Sequence, residues 1–164
     1  MKRGDFLLVS YKYDPIGWVI RKVTHGKWNH VAWALNEYSI IEVKRSGVLV
    51  SPVTKYLDKR YYRYKLVRIK NIEKKRLDRA INCALKKKCK RNYLKLWVSF
   101  LMVLFKSKSK LPRPTCSGFI AEELAKVKWY FCDKKPSLIT PQSIANSKKI
   151  KGVTSELHCF DTNI

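Results

Sequence analysis

Pro112-Arg113-Pro114-Thr115-Cys116-Ser117-Gly118-Phe119-Ile120-Ala121-Glu122-Glu123-Leu124-Ala125 sets two prolines ahead of an apolar run that opens on a cysteine. The prolines block a helix upstream, so the reading predicts a helix that starts at Cys116. Apolar residues at 119, 120, 124, 125 and 127 form one stripe, with Glu122 and Glu123 in the early turns, where the dipole favours acid. A thiol at a helix N-terminus feels partial positive charge, which favours the thiolate nucleophile. The alternative is a small cysteine buried in the core. The rest of the chain has to decide between them.

The chain has 164 residues, enough for one domain with a real core, and no linker or internal repeat divides it. We read 1–164 as a single domain with 147–164 as a peripheral tail. With 46% hydrophobic and 12% aromatic residues it is a folding sequence rather than a disordered one. The net charge of +24 is the outlier and points to anionic partners: a membrane surface, an anionic polymer or nucleic acid. Cys83, Cys89, Cys116, Cys132 and Cys159 form no C-x-x-C pair and have no zinc-ligand spacing, so neither a metal nor another cofactor is expected. The apolar run after Met1-Lys2-Arg3-Gly4-Asp5 is only Phe6 to Val9, too short for a signal peptide, which predicts a cytoplasmic protein with reduced thiols.

Taken in order, Phe6 to Tyr11 reads as a strand buried on both faces. Asp14-Pro15 opens a helix with Ile16, Val19, Ile20 and Val23 at helical spacing, and Gly26 is placed to end it. His30 to Leu35 and Tyr38 to Val43 are β-rich runs around Asn36-Glu37, a hairpin. Gly47 to Val50 is a brief extended piece, and Ser51-Pro52 starts a short helix through Leu57. Tyr62 to Ile69 alternates apolar and basic residues, as a half-solvated strand does. Asn71 is a candidate cap for a helix with an inner stripe of Leu77, Ala80, Ile81, Ala84 and Leu85. Tyr93 to Phe105 is the most apolar segment but falls short of the roughly 20 residues that span a bilayer. It reads first as a buried helix, with a substrate-groove wall or a membrane-interface helix as the alternatives. After the cysteine helix, Trp129-Tyr130-Phe131 packs on the body, and Thr140-Pro141 starts a last short helix through Ala145. The fold class expected is α+β, a small and mostly antiparallel sheet packed against helices.

The histidines are His25, His30 and His158. His25 sits at a helix end and His158 in the tail. His30 opens a strand whose alternate residues, Ala32 and Ala34, are small enough for a cysteine helix to approach. A strand histidine facing a thiolate is a Cys-His nucleophile pair. A third group should orient the imidazole, and Glu42, in apolar surroundings on the next strand, is the candidate. The hairpin register tests this. A two-residue turn at Asn36-Glu37 puts His30 and Glu42 on opposite faces; an odd loop such as Asn36-Glu37-Tyr38, or a bulge, puts them on the same face.

At Gly4-Asp5-Phe6-Leu7-Leu8-Val9, Asn29-His30-Val31-Ala32, Ile41-Glu42-Val43, Gly47-Val48 and Thr115-Cys116-Ser117 the chain resembles a known family. These segments recur, in this order, in the permuted papain-like amidases of the NlpC-type superfamily, the YiiX/YaeF-like group. Lecithin-retinol acyltransferases are more distant relatives. The likeness covers most of residues 3 to 146, and Gly47 to Leu57 is similar to the family's "GV…P…YL" segment. The resemblance implies a circularly permuted papain-like fold, with Cys116 as nucleophile, His30 as general base and acid, and Glu42 orienting His30. Asn29 stands where relatives often carry serine, and Tyr93 is followed by Leu94 where they tend to have aspartate. Tyr93, Asn29 and Ser117 are the candidates for substrate contact. The implied function is a cysteine hydrolase or acyltransferase acting on a cell-wall peptide or lipid-like acyl compound, without a metal. Two other readings fit the charge: a nucleic-acid-binding module using the basic, tyrosine-rich 59–91 region, and an inactive papain-like scaffold.

Overall fold

The computed structural model describes residues 1–44, 47–87 and 115–153. The apolar segment 93–105 with Tyr93, the Lys-Ser loop after it and the end of the chain from residue 154 lie outside them.

The described residues are α+β. Strands β1 (Phe6–Tyr11), β2 (His30–Ala34), β3 (Ser39–Lys44), β4 (Gly47–Pro52), β5 (Tyr62–Ile69) and β6 (Ile150–Gly152) form one sheet in the order β4-β3-β2-β1-β5-β6. Every neighbouring pair is antiparallel. The helices are α1 (Pro15–Val23), α2 (Lys74–Lys86), α3 (Cys116–Ala125) and α4 (Pro141–Ala145), with a 3-10 turn at Val53–Tyr56. β1 and β2 are buried at almost every residue, as their unbroken apolar sequences require.

Alternation along the strands makes two cores. Phe6, Leu8, Val31, Trp33, Ile41, Val67 and Ile69 meet α2 and α3 through Ala80, Ile81, Ala84, Phe119 and Leu124. Leu7, Val9, Ala32, Ile40 and Leu66 lie on the opposite face, under Val53 and Tyr56 of the 3-10 turn. The cysteine helix therefore docks on the Val31/Trp33 face. The small Ala32, expected to admit that helix, is covered by Tyr56 and Val53 instead.

Other expectations need correction. Helix α1 stops at Val23, and His25 rather than Gly26 supplies the left-handed turn after it. His25 takes the left-handed conformation (φ 47°), and Gly26 N–H closes on the Arg21 carbonyl at 3.0 Å. Asn71 is also left-handed (φ 53°) and turns the chain; Glu73 holds the N-cap position of α2. Leu85 is exposed. Helix α3 is buried on most sides, not along a stripe, and its first turn holds no acid. Glu123 is fully buried in its second half, against Lys87 and Lys126, both at 2.7 Å. Residues 150–152, expected in a peripheral tail, form the edge strand β6 on β5. Three residues are too few to show a period of two.

Candidate active site

The β2–β3 hairpin sets the site. Leu35 N–H reaches the Ser39 carbonyl at 2.9 Å, and Trp33 pairs with Ile41 and Ala34 with Ile40. The loop is the odd one, Asn36-Glu37-Tyr38. Asn36 fixes it: its side-chain oxygen accepts from Tyr38 N–H (2.9 Å), Ser39 N–H (2.8 Å) and the Ser39 hydroxyl (2.8 Å). In this register His30 and Glu42 share a face, and His30 Nε2 lies 3.2 Å from Glu42 Oε2.

Helix α3 brings the thiol. Thr115 caps it, its hydroxyl accepting from Gly118 N–H at 3.1 Å, so Cys116 is the first helical residue. The Cys116 thiol lies close enough to the His30 imidazole, and to the backbone N–H groups of Val31 and Ser117, for each to favour its ionised form. Sequence and fold thus bring Cys116, His30 and Glu42 together in a row, the imidazole and carboxylate buried and the thiol half-buried.

The electrostatics follow from that row. Burial opposes ionisation of Cys116, but the charge and hydrogen bond of His30, with the two backbone donors, overcome it and lower the thiol's pKa. Burial likewise opposes a charged His30, but the Cys116 thiolate and then Glu42 outweigh it and raise the imidazole to about 9. The row favours a thiolate–imidazolium pair. Burial would neutralise Glu42 too, yet hydrogen bonds from His30, Ser51 and Tyr56 hold it well below the usual carboxylate range.

Around Glu42 stand residues that the sequence reading did not single out. Tyr56, itself buried, donates its hydroxyl to Glu42 Oε2, the oxygen that faces His30. Tyr11 OH lies 3.0 Å from Tyr56 OH; because Tyr56 gives its proton to the carboxylate, Tyr11 donates to Tyr56. Burial pushes the Tyr11 phenol up to about 12 and the Tyr56 phenol further, so both stay protonated donors. Lys55 and Lys44 reach the other oxygen, Glu42 Oε1, at 3.2 and 3.6 Å. The one sequence signal for Tyr56 was its place in the Gly47–Leu57 segment of the resemblance.

The candidate substrate residues fall differently. Ser117 Oγ is buried and donates to the Ile139 carbonyl at 2.6 Å, tying α3 to the segment before α4. Asn29 Oδ1 accepts from Tyr11 N–H at 3.2 Å. Its amide nitrogen lies against Gly17 of α1, where an added Cβ would come within 1.9 Å, so glycine is needed for that approach. Ser117 thus serves the scaffold, as does the Asn29 oxygen, while the buried Asn29 amide nitrogen has no hydrogen-bond partner among the described residues. Tyr93 lies outside the described residues.

No protein-family model matches the chain, and no curated protein matches it in sequence. Among solved structures it is similar to the crystal structure of the metalloprotein yiiX of Escherichia coli O157:H7, with a TM-score of 0.63 and 14% sequence identity. The match covers 94% of this chain and 97% of that one. At this identity the likeness establishes the fold: an α+β, YiiX-like architecture over nearly the whole chain.

Proposed function

We propose that the protein is a cysteine hydrolase or acyltransferase on a circularly permuted papain-like fold, with Cys116, His30 and Glu42 as its catalytic row. One observation carries the reading: a buried imidazole bridges a thiol at a helix N-terminus and a carboxylate held in its charged form. Such a row supports nucleophilic acyl transfer.

The Cys116 thiolate attacks an amide, ester or thioester carbonyl carbon. The carbonyl π pair moves to oxygen, where the backbone N–H of Cys116 at the positive end of α3 is the proposed oxyanion donor. Collapse expels the leaving group, which takes the proton from the His30 imidazolium and leaves a thioester on Cys116. Neutral His30 then removes a proton from water or another acceptor, whose oxygen attacks the thioester and regenerates the thiolate–imidazolium pair. Glu42 holds the imidazole in position throughout, and Tyr56 and Lys55 hold Glu42. The substrate class proposed is a peptide-like amide or a lipid-like acyl compound. Among the described residues no helix is long and apolar enough to cross a membrane.

The yiiX structure is called a metalloprotein. Among the described residues no three His, Cys, Asp or Glu side chains group to hold a metal ion. Glu42 already faces His30, Tyr56, Lys44 and Lys55. The described residues do not fit a metal centre, and no step is routed through one.

Alkylation by iodoacetamide at neutral pH tests the reading. Cys116 should react far faster than Cys83 and Cys132 and lose that advantage in His30→Ala. Equal rates at the three thiols would remove the proposal.

A further inference from the structure

An aromatic track leads from the site to the surface. Tyr11 lies 6.0 Å from the His30 ring, Tyr62 5.1 Å from Tyr11, Tyr61 6.4 Å from Tyr62, and Tyr13 6.2 Å from Tyr61. Its outer rings stand in water: Tyr61 is 51% and Tyr13 78% exposed. On the neighbouring α1, Trp18 is 55% exposed, with Lys22 Nζ 4.9 Å over its ring. Arg60 lies 5.6 Å over Tyr61, and Lys12 hydrogen-bonds the Lys59 carbonyl beside them. The cations Lys12, Lys59 and Arg60 share this margin with Asp58, which Arg60 holds at 2.9 Å, while Lys22 and Asp14 belong to the Trp18 end of α1.

Exposed rings with polar tips, set among long basic side chains, match the headgroup layer of a bilayer. The rings settle at the apolar boundary, and the ammonium and guanidinium groups reach lipid phosphates. We propose that this margin docks the protein on an anionic lipid bilayer and so sets Cys116 beside acyl esters at the interface. The choice of partner rests on the acyl-transfer reading. A nucleic acid would answer the same rings and charges, but its phosphodiester backbone and bases offer Cys116 no acyl ester.

Flotation with vesicles tests it. The wild type should float with phosphatidylcholine–phosphatidylglycerol vesicles (roughly two to one), stay behind with pure phosphatidylcholine, and dissociate as salt rises toward about 0.5 M. A Tyr13→Ser, Trp18→Ser, Tyr61→Ser variant keeps every charge and should lose at least about tenfold in partitioning, with an unchanged circular dichroism spectrum. Cys116→Ala should float like the wild type. Equal binding to neutral vesicles, or unimpaired flotation of the triple variant, overturns the proposal. So does single-stranded DNA binding that outcompetes the vesicles and is lost in the same variant. An unreactive Cys116 in a protein that still floats would remove the acyl-transfer reading and leave the docking surface standing.

Discussion

The two faces of the sheet are built from alternate residues of the same strands, yet they carry opposite chemistry. The face under α2 and α3 is mostly hydrocarbon and aromatic, from Phe6 and Leu8 to Ile81 and Leu124, with Glu123 buried on α3 between two lysines. Among the described residues the other is covered by the Val53–Tyr56 turn, with Glu42, His30, Tyr11 and Tyr62 among its apolar residues. A thick dry layer sets the fold without specific polar geometry. Beneath the thin layer, several donors converge on one carboxylate and keep it ionised. Cys116 belongs to a helix of the first face but meets His30 of the second, so the site lies where the two meet, at the start of β2.

Perturbing each face should have separable effects. The largest is expected from Leu124→Ala, which empties a fully buried position on the helical face. Urea denaturation should show a loss of about 3–5 kcal/mol, while Cys116 in the folded fraction alkylates at the wild-type rate. A slowed thiol in that variant would break the division. His30→Ala comes next. An unpaired thiol is only a few per cent thiolate at pH 7, so alkylation of Cys116 should slow about 30-fold. Its pH midpoint should climb back to the ordinary thiol range.

Titration then sharpens the picture. Wild-type alkylation should plateau above the lowered Cys116 pKa and step again near pH 9, as His30 loses its proton. Because folding raises His30 from 6.5 to about 9, its contribution to stability is complete below 6.5 and is lost as pH rises through about 9. Glu42→Gln removes the anion facing Nε2, so the upper step should move down by about one unit. Cys116 should alkylate a few-fold more slowly at pH 7. Smallest is Tyr56→Phe, which deletes one donor to Glu42. It should shift the upper step by a few tenths of a unit and slow acyl turnover about twofold at unchanged KM. A change in stability alone would make Tyr56 a packing residue.

Much of this was legible because it is periodic or local. β1, β2, β5 and the starts of α1 and α4 follow directly from apolar runs, alternation and Pro-initiated helices. The register argument named the hairpin loop that His30 and Glu42 require, and the structure has it. What escaped depends on partners remote in sequence. Nothing local shows that Tyr56 meets Glu42, that Glu123 is buried between two lysines, or that Ser117 serves the Ile139 carbonyl. The Ala32 argument had the right spacing but the wrong face, because alternation says that two faces exist and not which element covers each.

The Asn36-Glu37-Tyr38 loop carries a consequence for how this chain can evolve. Exposed hairpin tips are usually where insertions and deletions are absorbed. Here the length of the tip has a parity that the interior depends on. Asn36 holds the turn, and gaining or losing a single residue would turn Glu42 away from His30. Length polymorphism in this loop should therefore occur in steps of two, or together with a compensating bulge in β3.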